Sequence, residues 1–226
     1  MKPVHVCVPT LRRYDLLQRL VLSLNDSKVP VTRLYVIDNG KDQQRLASAL
    51  ASAKMPVDIF VPEIRMGVAE SWNWFIANVE EERLIVNDDL VFDPSSIGVI
   101  AAAPGHFVTA TAGMAFSCFL IRDVCIEQVG FFDEDISPGY AYFEDCDYEQ
   151  RMFDKQIYIT HVEAGVVHDG SATLPKQSPE AMNEHHRRFK LARQNFMTKW
   201  GQLPRGMEPV DVATNTADMI STGDVK

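Results

Sequence analysis

Hydrophobic positions along the first part of the chain switch repeatedly between two periods. "VHVCVPT" is a β-branched run closing at Pro9-Thr10, and "DLLQRLVLSLND" follows with Leu16, Leu17, Leu20, Val21 and Leu24 at helical spacing. "RLYVIDNG" reads as a second strand with a turn at Asn39-Gly40, and "QQRLASALASA" as a second helix. "VDIFVP" is a third strand, "GVAESWNWFIANVEEE" a third helix and "RLIVNDDLVF" a fourth strand running into polar residues. Strands alternating with helices predict an α/β fold with a mostly parallel central sheet flanked by helices.

The second half is less regular. "FVTATAGMAFSCFLI" is β-like, "RDVCIEQVG" is a short helix, and "FFDEDISPGY" is a loop rich in acids and aromatics. "QIYITHVEAGVVHDG" predicts two short strands around Ala164-Gly165, ending at His168. A long C-terminal helix follows, capped by Ser178, opened by Pro179 and stopped by Gly201. Residues 205–226 have few large apolar side chains and predict a flexible tail. Residues 1–204 are therefore expected to form one domain, with halves at about 1–95 and 96–204.

Composition changes this picture little. The net charge of -9 lacks the basic footprint of a dedicated nucleic-acid binder. No apolar run reaches the roughly 18 residues of a membrane span, and the N-terminus lacks a secretory pattern. Cys7, Cys118, Cys125 and Cys146 form no CxxC pair. Free thiols in a reducing cytoplasm are the expectation.

Ligands of open α/β sheets bind outside the carboxyl ends of the strands. Here those ends are Pro9-Thr10, Asp38-Asn39 and Asn87-Asp88-Asp89. Asp38-Asn39-Gly40 alone is explained as a turn. Asn87-Asp88-Asp89 is not, because "LVF" resumes at once. Adjacent acids repel unless a cation is present, and oxygen ligands suit Mg²⁺ or Mn²⁺.

A second cluster of acids lies in "YAYFEDCDYEQRM". On a helical wheel over 143–153, Asp147, Arg151, Gln150 and Glu144 share one arc. Tyr148, Met152, Phe153 and Cys146 share the other, which also contains Asp145 and Glu149. The wheel predicts a solvated Asp147 paired with Arg151, worth about 0.2–0.5 kcal/mol. It predicts that Asp145, on a semi-apolar face, is paired, hydrogen-bonded or functional. A desolvated carboxylate is the better general base.

In order and spacing, these segments resemble family 2 glycosyltransferases of GT-A (Rossmann-like) fold. The resemblance runs from about Val4 to Gly201 through "VCVPTLRRYDLLQRLVLSL", "YVIDNG", "RMGVAESWNWFIA", "IVNDDLVFDP", "GFFDEDISPGYAYFEDCDYEQRM", "VVHDGSAT" and "ARQNFMTKWG". The nearest branch is rhamnosyl- and galactofuranosyltransferase-like. The resemblance implies a UDP-, GDP- or dTDP-sugar donor and a glycan, lipid-linked or other hydroxyl acceptor. It implies that Pro9, Thr10 and Asp38 line the base and ribose pocket, with Arg65, Gly67 and Asn73 also on the donor side. Asn87-Asp88-Asp89 matches the DxD position, with Asn87 replacing the first Asp. Asp89 and His168 would hold Mn²⁺ or Mg²⁺, and Asp88 would lie near the ribose or diphosphate. Glu144-Asp145 matches the acidic pair, with Asp145 as catalytic base in an inverting transfer. Asp133 and Glu134 are candidate acceptor ligands. His185-His186-Arg187-Arg188 reads as a mostly solvated helix face.

Three other readings carry less weight. A sugar-nucleotide pyrophosphorylase needs a Gly-rich loop after the first strand, and "VPTLRRYD" has no glycine. A non-catalytic nucleotide-sugar binding module would lack the base or the metal ligand. A glycosyltransferase acting on modified DNA bases fits the compact form, but the acidic charge counts against it.

Overall fold

The structure, a computed structural model, describes residues 3–110, 115–168, 179–204 and 207. The strands are β1 (Val4–Thr10), β2 (Arg33–Asp38), β3 (Val57–Phe60), β4 (Glu82–Val86), β5 (Leu90–Phe92), β6 (Phe107–Thr109), β7 (Cys118–Ile121), β8 (Ile159–His161) and β9 (Val166–His168). The helices are α1 (Tyr14–Asn25), α2 (Gln43–Leu50), α3 (Val68–Asn78), α4 (Ser96–Ala102), α5 (Asp123–Val129), α6 (Glu144–Asp154) and α7 (Pro179–Trp200).

Seven strands form one sheet in the order β3-β2-β1-β4-β7-β6-β8. β1 pairs in parallel with β2 and β4, β2 with β3, and β6 with β8, while β7 runs antiparallel to β4 and β6. The expected mostly parallel sheet and C-terminal helix are both present. β4 and β7, in the middle of the sheet, are buried along their whole length, as strands covered on both faces are. α1 covers one face with Leu17, Leu20, Val21 and Leu24, and α3 contributes Trp72, Phe75 and Ile76 to a second core cluster.

Two expectations change. "RLIVNDDLVF" is not one strand: β4 stops at Val86, and β5 pairs antiparallel with β9 in a separate two-stranded sheet. Asn87-Asp88-Asp89 occupies the break between the two sheets. α4 has no counterpart among the predicted elements, because its seven residues are too short to display a period. α7 runs from Pro179 to Trp200 as expected, and Gly201, with a φ of 68° and a bond to the Met197 carbonyl, closes it. Its expected cap, Ser178, and the tail expected at 205–226 lie outside the described residues, Met207 apart. The four cysteines are free, and Cys7, Cys118 and Cys125 are buried.

Candidate active site

β1 lies between β2 on one side and β4 on the other, so the chain direction across the sheet switches beside β1. Two site residues meet at this switch. Thr10, the last residue of β1, donates its hydroxyl to Asp88 Oδ2 at 2.7 Å. Burial, reinforced by the Asp89 charge, raises the Asp88 carboxyl to a pKa of about 6 against the lowering effect of the Thr10 bond. Pro9 is half-buried one position earlier.

Asp38 ends β2 and is 1% exposed. Its Oδ1 accepts from Tyr14 Oη at 2.8 Å and from the Gly40 N–H at 2.9 Å. Its Oδ2 has no partner among the described residues. A buried carboxylate oxygen left open at a strand end has a cost unless a ligand donates to it. Gly40 is required here: a Cβ would fall 2.5 Å from Tyr14 Oη and 2.8 Å from the Arg12 nitrogen. Tyr14 was not singled out from the sequence, although its spacing from Leu17 and Val21 puts it on the buried stripe of α1.

Asp89 and His168 come from opposite halves of the chain. The β5–β9 register sets Leu90 opposite His168, one residue from Asp89. That register is fixed at its far end, where Asp93 N and Ser96 Oγ both donate to the Gly165 carbonyl. His168 Nε2 lies 3.1 Å from Asp89 Oδ1, both side chains being about one-tenth exposed. The pair is close without being a well-aligned hydrogen bond, since Asp89 Oδ1 satisfies no such geometry. An open carboxylate oxygen facing an imidazole nitrogen suits a divalent cation at its protein side. The described residues bring together only these two candidate ligands, with no cluster of three.

The segment around Met66 and Gly67 is held through its backbone. Asn39 Oδ1 accepts from Met66 N at 2.8 Å, and the Tyr140 carbonyl accepts from Val68 N at 2.7 Å. A Cβ at Gly67 would lie 2.6 Å from both Tyr140 N and O, so only glycine lets these segments meet. Glu70 caps the Gly67 N–H and also accepts from Gly139 N. Arg65 is exposed, with its guanidinium over the Tyr140 ring. Asn73 spends both amide donations on Phe132 O and Glu134 Oε1 and accepts from Phe132 N. Its side chain therefore clamps the 132–134 loop.

α6 corrects the wheel. Its buried residues are Glu144, Asp147, Tyr148 and Met152, spaced i, i+3, i+4, i+8, so the acids lie on the inner stripe. Asp147, expected on a solvated face, is fully buried. Its Oδ1 takes Trp200 Nε1 at 2.9 Å and Lys199 Nζ at 2.6 Å, and its Oδ2 takes Arg151 Nε at 2.9 Å. Glu149, placed on the apolar arc, is exposed, and so is Phe153. The wheel misread the helix because partners from α7 make a charged inner stripe affordable.

Glu144 opens α6 at 4% exposure, with Oε2 unpartnered among the described residues. Burial first, and the neighbouring Asp145 charge second, raise its pKa to about 8. Asp145 is half-exposed, its Oδ1 accepting from Cys146 N at 2.8 Å. The two residues before this pair, Tyr142 and Phe143, have φ of 105° and 66°. Consecutive left-handed backbone at bulky residues stores strain, and such strain concentrates at functional sites.

Asp133 is tied to Lys199 Nζ at 2.6 Å and Glu134 to Asn73 at 2.7 Å. Both line a groove of about 620 Å³ between α3 and the 131–135 loop, with Trp74 and Phe131. None of Thr10, Asp88, Asp89 or His168 lines it. The "HHRR" segment is not simply solvated: His185 lies 3.1 Å from Tyr142 Oη, and Arg188 lies over Tyr140.

The model of glycosyl transferase family 2 matches residues 5–105, slightly under half of the chain. No curated protein sequence matches it significantly. Among solved structures, it is similar to the mannosyltransferase PcManGT from Pyrobaculum calidifontis in complex with GDP-Man and Mn²⁺. Identity is 14%, covering 88% of this chain and 64% of that one, with a TM-score of 0.62. It is similar to S. aureus TarS 1-349 at 14% identity, 87% and 66% coverage and a TM-score of 0.58; TarS is also solved with UDP-GlcNAc. The inositol-1-phosphate CTP transferase from T. maritima is similar at 11% identity, 84% and 95% coverage and a TM-score of 0.54. The chain spans only about two thirds of the length of the first two proteins. Its mostly parallel seven-stranded sheet, flanking helices and C-terminal helix are those of the GT-A fold.

Proposed function

We propose that the chain is an inverting glycosyltransferase that moves a sugar from a nucleoside-diphosphate sugar to an acceptor hydroxyl. The observation that carries this reading is the approach of His168 to Asp89 beside the Thr10–Asp88 link, on the strand ends where a GT-A sheet receives its donor. The match of residues 5–105 to glycosyl transferase family 2 supports it. The bound GDP-Man and Mn²⁺ of a structural neighbour support it at the level of fold.

In this reading the donor half, about 1–95, holds the nucleotide. Pro9 and Thr10 border the pocket, and Asp38 offers its open Oδ2 to a base or ribose donor. Asp88 lies toward the ribose or diphosphate, with Arg65 and Gly67 on the same side. Asp89 and His168 would hold Mn²⁺ or Mg²⁺, which supplies Lewis-acid stabilisation of the departing diphosphate. Asp145, from the acceptor half, takes the proton of the attacking hydroxyl. The acceptor oxygen bonds to the anomeric carbon as the carbon–phosphate-oxygen bond breaks, and its electron pair leaves with the diphosphate. One displacement with one base inverts the anomeric centre, with no covalent sugar intermediate. Glu144, whose pKa burial raises to about 8, is mostly protonated at neutral pH and adds little negative charge beside Asp145.

The shared fold of the CTP transferase makes nucleotidyl transfer the alternative to exclude. The absence of glycine from the Thr10–Asp15 loop weighs against it. Thermal shift with UDP-, GDP- and dTDP-sugars, with and without Mn²⁺, tests the reading. At least one sugar nucleotide should stabilise the protein, more with Mn²⁺ than without. Stabilisation by nucleoside triphosphates alone, or by none of these ligands, would sink it.

A further inference from the structure

The turn ahead of the acidic pair is held from α7. Phe143, the N-cap of α6, makes no side-chain cap, and both it and Tyr142 have left-handed backbone. Two consecutive aromatic residues persist in that conformation only where their surroundings hold them. His185, Phe189, Ala192 and Phe196 recur at i, i+4, i+7 and i+11, on one face of α7. The Tyr142 ring lies edge-on to His185 and Phe189, at centroid distances of 5.1 and 5.2 Å. The Phe143 ring is buried and meets Phe189 at 5.2 Å and Phe196 at 5.8 Å. Phe189 therefore touches both strained residues.

This packing includes a polar contact. Tyr142 Oη lies 3.1 Å from His185 Nδ1 and 3.4 Å from Nε2. The hydroxyl faces the ring edge between the two nitrogens, so either tautomer offers it an acceptor. Burial, and then the Glu144 charge, push the Tyr142 hydroxyl up to about 12, so it keeps its proton to donate. Burial, and then the neighbouring His186, lower the His185 pKa, so the neutral imidazole keeps a lone pair to accept. A hydrocarbon ring would fill the same space, but only a directional bond fixes where the Tyr142 side chain points. The bond acts on the turn itself, ahead of Asp145. The Trp200–Asp147 bond grips α6 after it.

We propose that His185 is a positioning residue, which through Tyr142 fixes the turn that carries Asp145. This rests on the glycosyl-transfer reading only for the use made of Asp145, and the hold on the turn is measured without that reading.

Tyr142→Phe and His185→Phe each keep a ring and lose the bond. In hydrogen exchange read by mass spectrometry on the full chain, amides 142–147 should exchange about fivefold faster in both variants. Amides 150–154, at the far end of α6, should exchange as in wild type. Hydrolysis of the sugar nucleotide that stabilises the protein most, with water as acceptor and Mn²⁺ present, reads the consequence. In each variant kcat should fall about tenfold with the donor KM unchanged. His185→Gln, whose amide oxygen can again accept from Tyr142, should recover most of the rate. The double variant should be no slower than either single one, because both remove the same bond. Unchanged exchange at 142–147 overturns the hold. Faster exchange with unchanged kcat, or losses that multiply in the double variant, overturn the positioning role and leave His185 a packing residue. If wild type binds or hydrolyses no UDP-, GDP- or dTDP-sugar, the transfer reading and the positioning role fail together, while exchange still decides whether His185 holds the turn.

Discussion

Trp200 Nε1 donates to Asp147 Oδ1 at 2.9 Å, tying the last residue of α7 to the inner face of α6. Lys199 reaches the same oxygen at 2.6 Å and also reaches Asp133, so α6, α7 and the Asp133 loop are joined through one lysine. This clamp holds the helix that opens with Glu144 and Asp145. Asp147→Ala leaves Arg151 and Lys199 without their shared partner and should cost about 3–5 kcal/mol. Trp200→Phe keeps the ring but loses one bond to a charged acceptor, about 1.5–3 kcal/mol. Urea denaturation measures both. Equal losses would show that the indole bond, not the carboxylate, dominates.

Asp145→Asn removes the proposed base while keeping the side-chain shape. Turnover should fall by about 10²–10⁴-fold with nucleotide affinity unchanged. Steady-state rates paired with UDP or GDP titration separate the two effects. A variant that turns over normally rules Asp145 out as the base.

Glu144 makes stability depend on pH. Its folded pKa is raised to about 8 from an ordinary 4.5. The folded state therefore holds a proton that the unfolded state has released, and stability falls as pH rises between these values. The contribution is fully present below the unfolded pKa and lost by the folded one. Glu144→Gln removes this dependence. The melting temperature of the variant should gain on wild type progressively from pH 5 to pH 8. A constant difference across that window would mean that Glu144 ionises normally.

Asp89→Asn and His168→Ala should each weaken Mn²⁺-dependent nucleotide binding at least about tenfold. Metal-free nucleotide binding should stay as in wild type, because Asp38 and Thr10 are untouched. Calorimetry with and without Mn²⁺ makes the comparison, and loss of both modes would point to a framework role for the pair.

Gly67→Ala and Gly139→Ala isolate two uses of glycine. At Gly67 the new methyl meets the Tyr140 backbone at 2.6 Å, which cannot swing aside, and about 1–3 kcal/mol should be lost. At Gly139 nothing lies within 4 Å, but φ is +69°, and about 1–2 kcal/mol should be lost to backbone strain alone. Only the first should displace Tyr140.

The alternation of strands and helices through residue 86 was legible because each element carries its own period. So were the strand ends, which deliver Thr10, Asp38, Asp88 and Asp89 to one edge of the sheet. The inner face of α6 was not. A wheel sorts positions by the polarity of the helix itself, whereas Asp147 is buried because Lys199 and Trp200 arrive from α7 to satisfy it. β5 and β9 were equally opaque as partners, since three residues carry no period that could announce their pairing. Tyr140 gave no signal at all, because its part is a backbone contact with Gly67 and Val68.

The β5–β9 ribbon also has a consequence for folding order. Thr10 and Asp88 are brought together by the parallel pairing of β1 with β4, each already flanked by its own helix. The ribbon joins segments far apart in sequence by only three residue pairs, so loop closure must be completed before it gains any contact. His168 should therefore reach Asp89 after β1 to β4 have paired. A newly made chain should acquire nucleotide affinity first and metal dependence last.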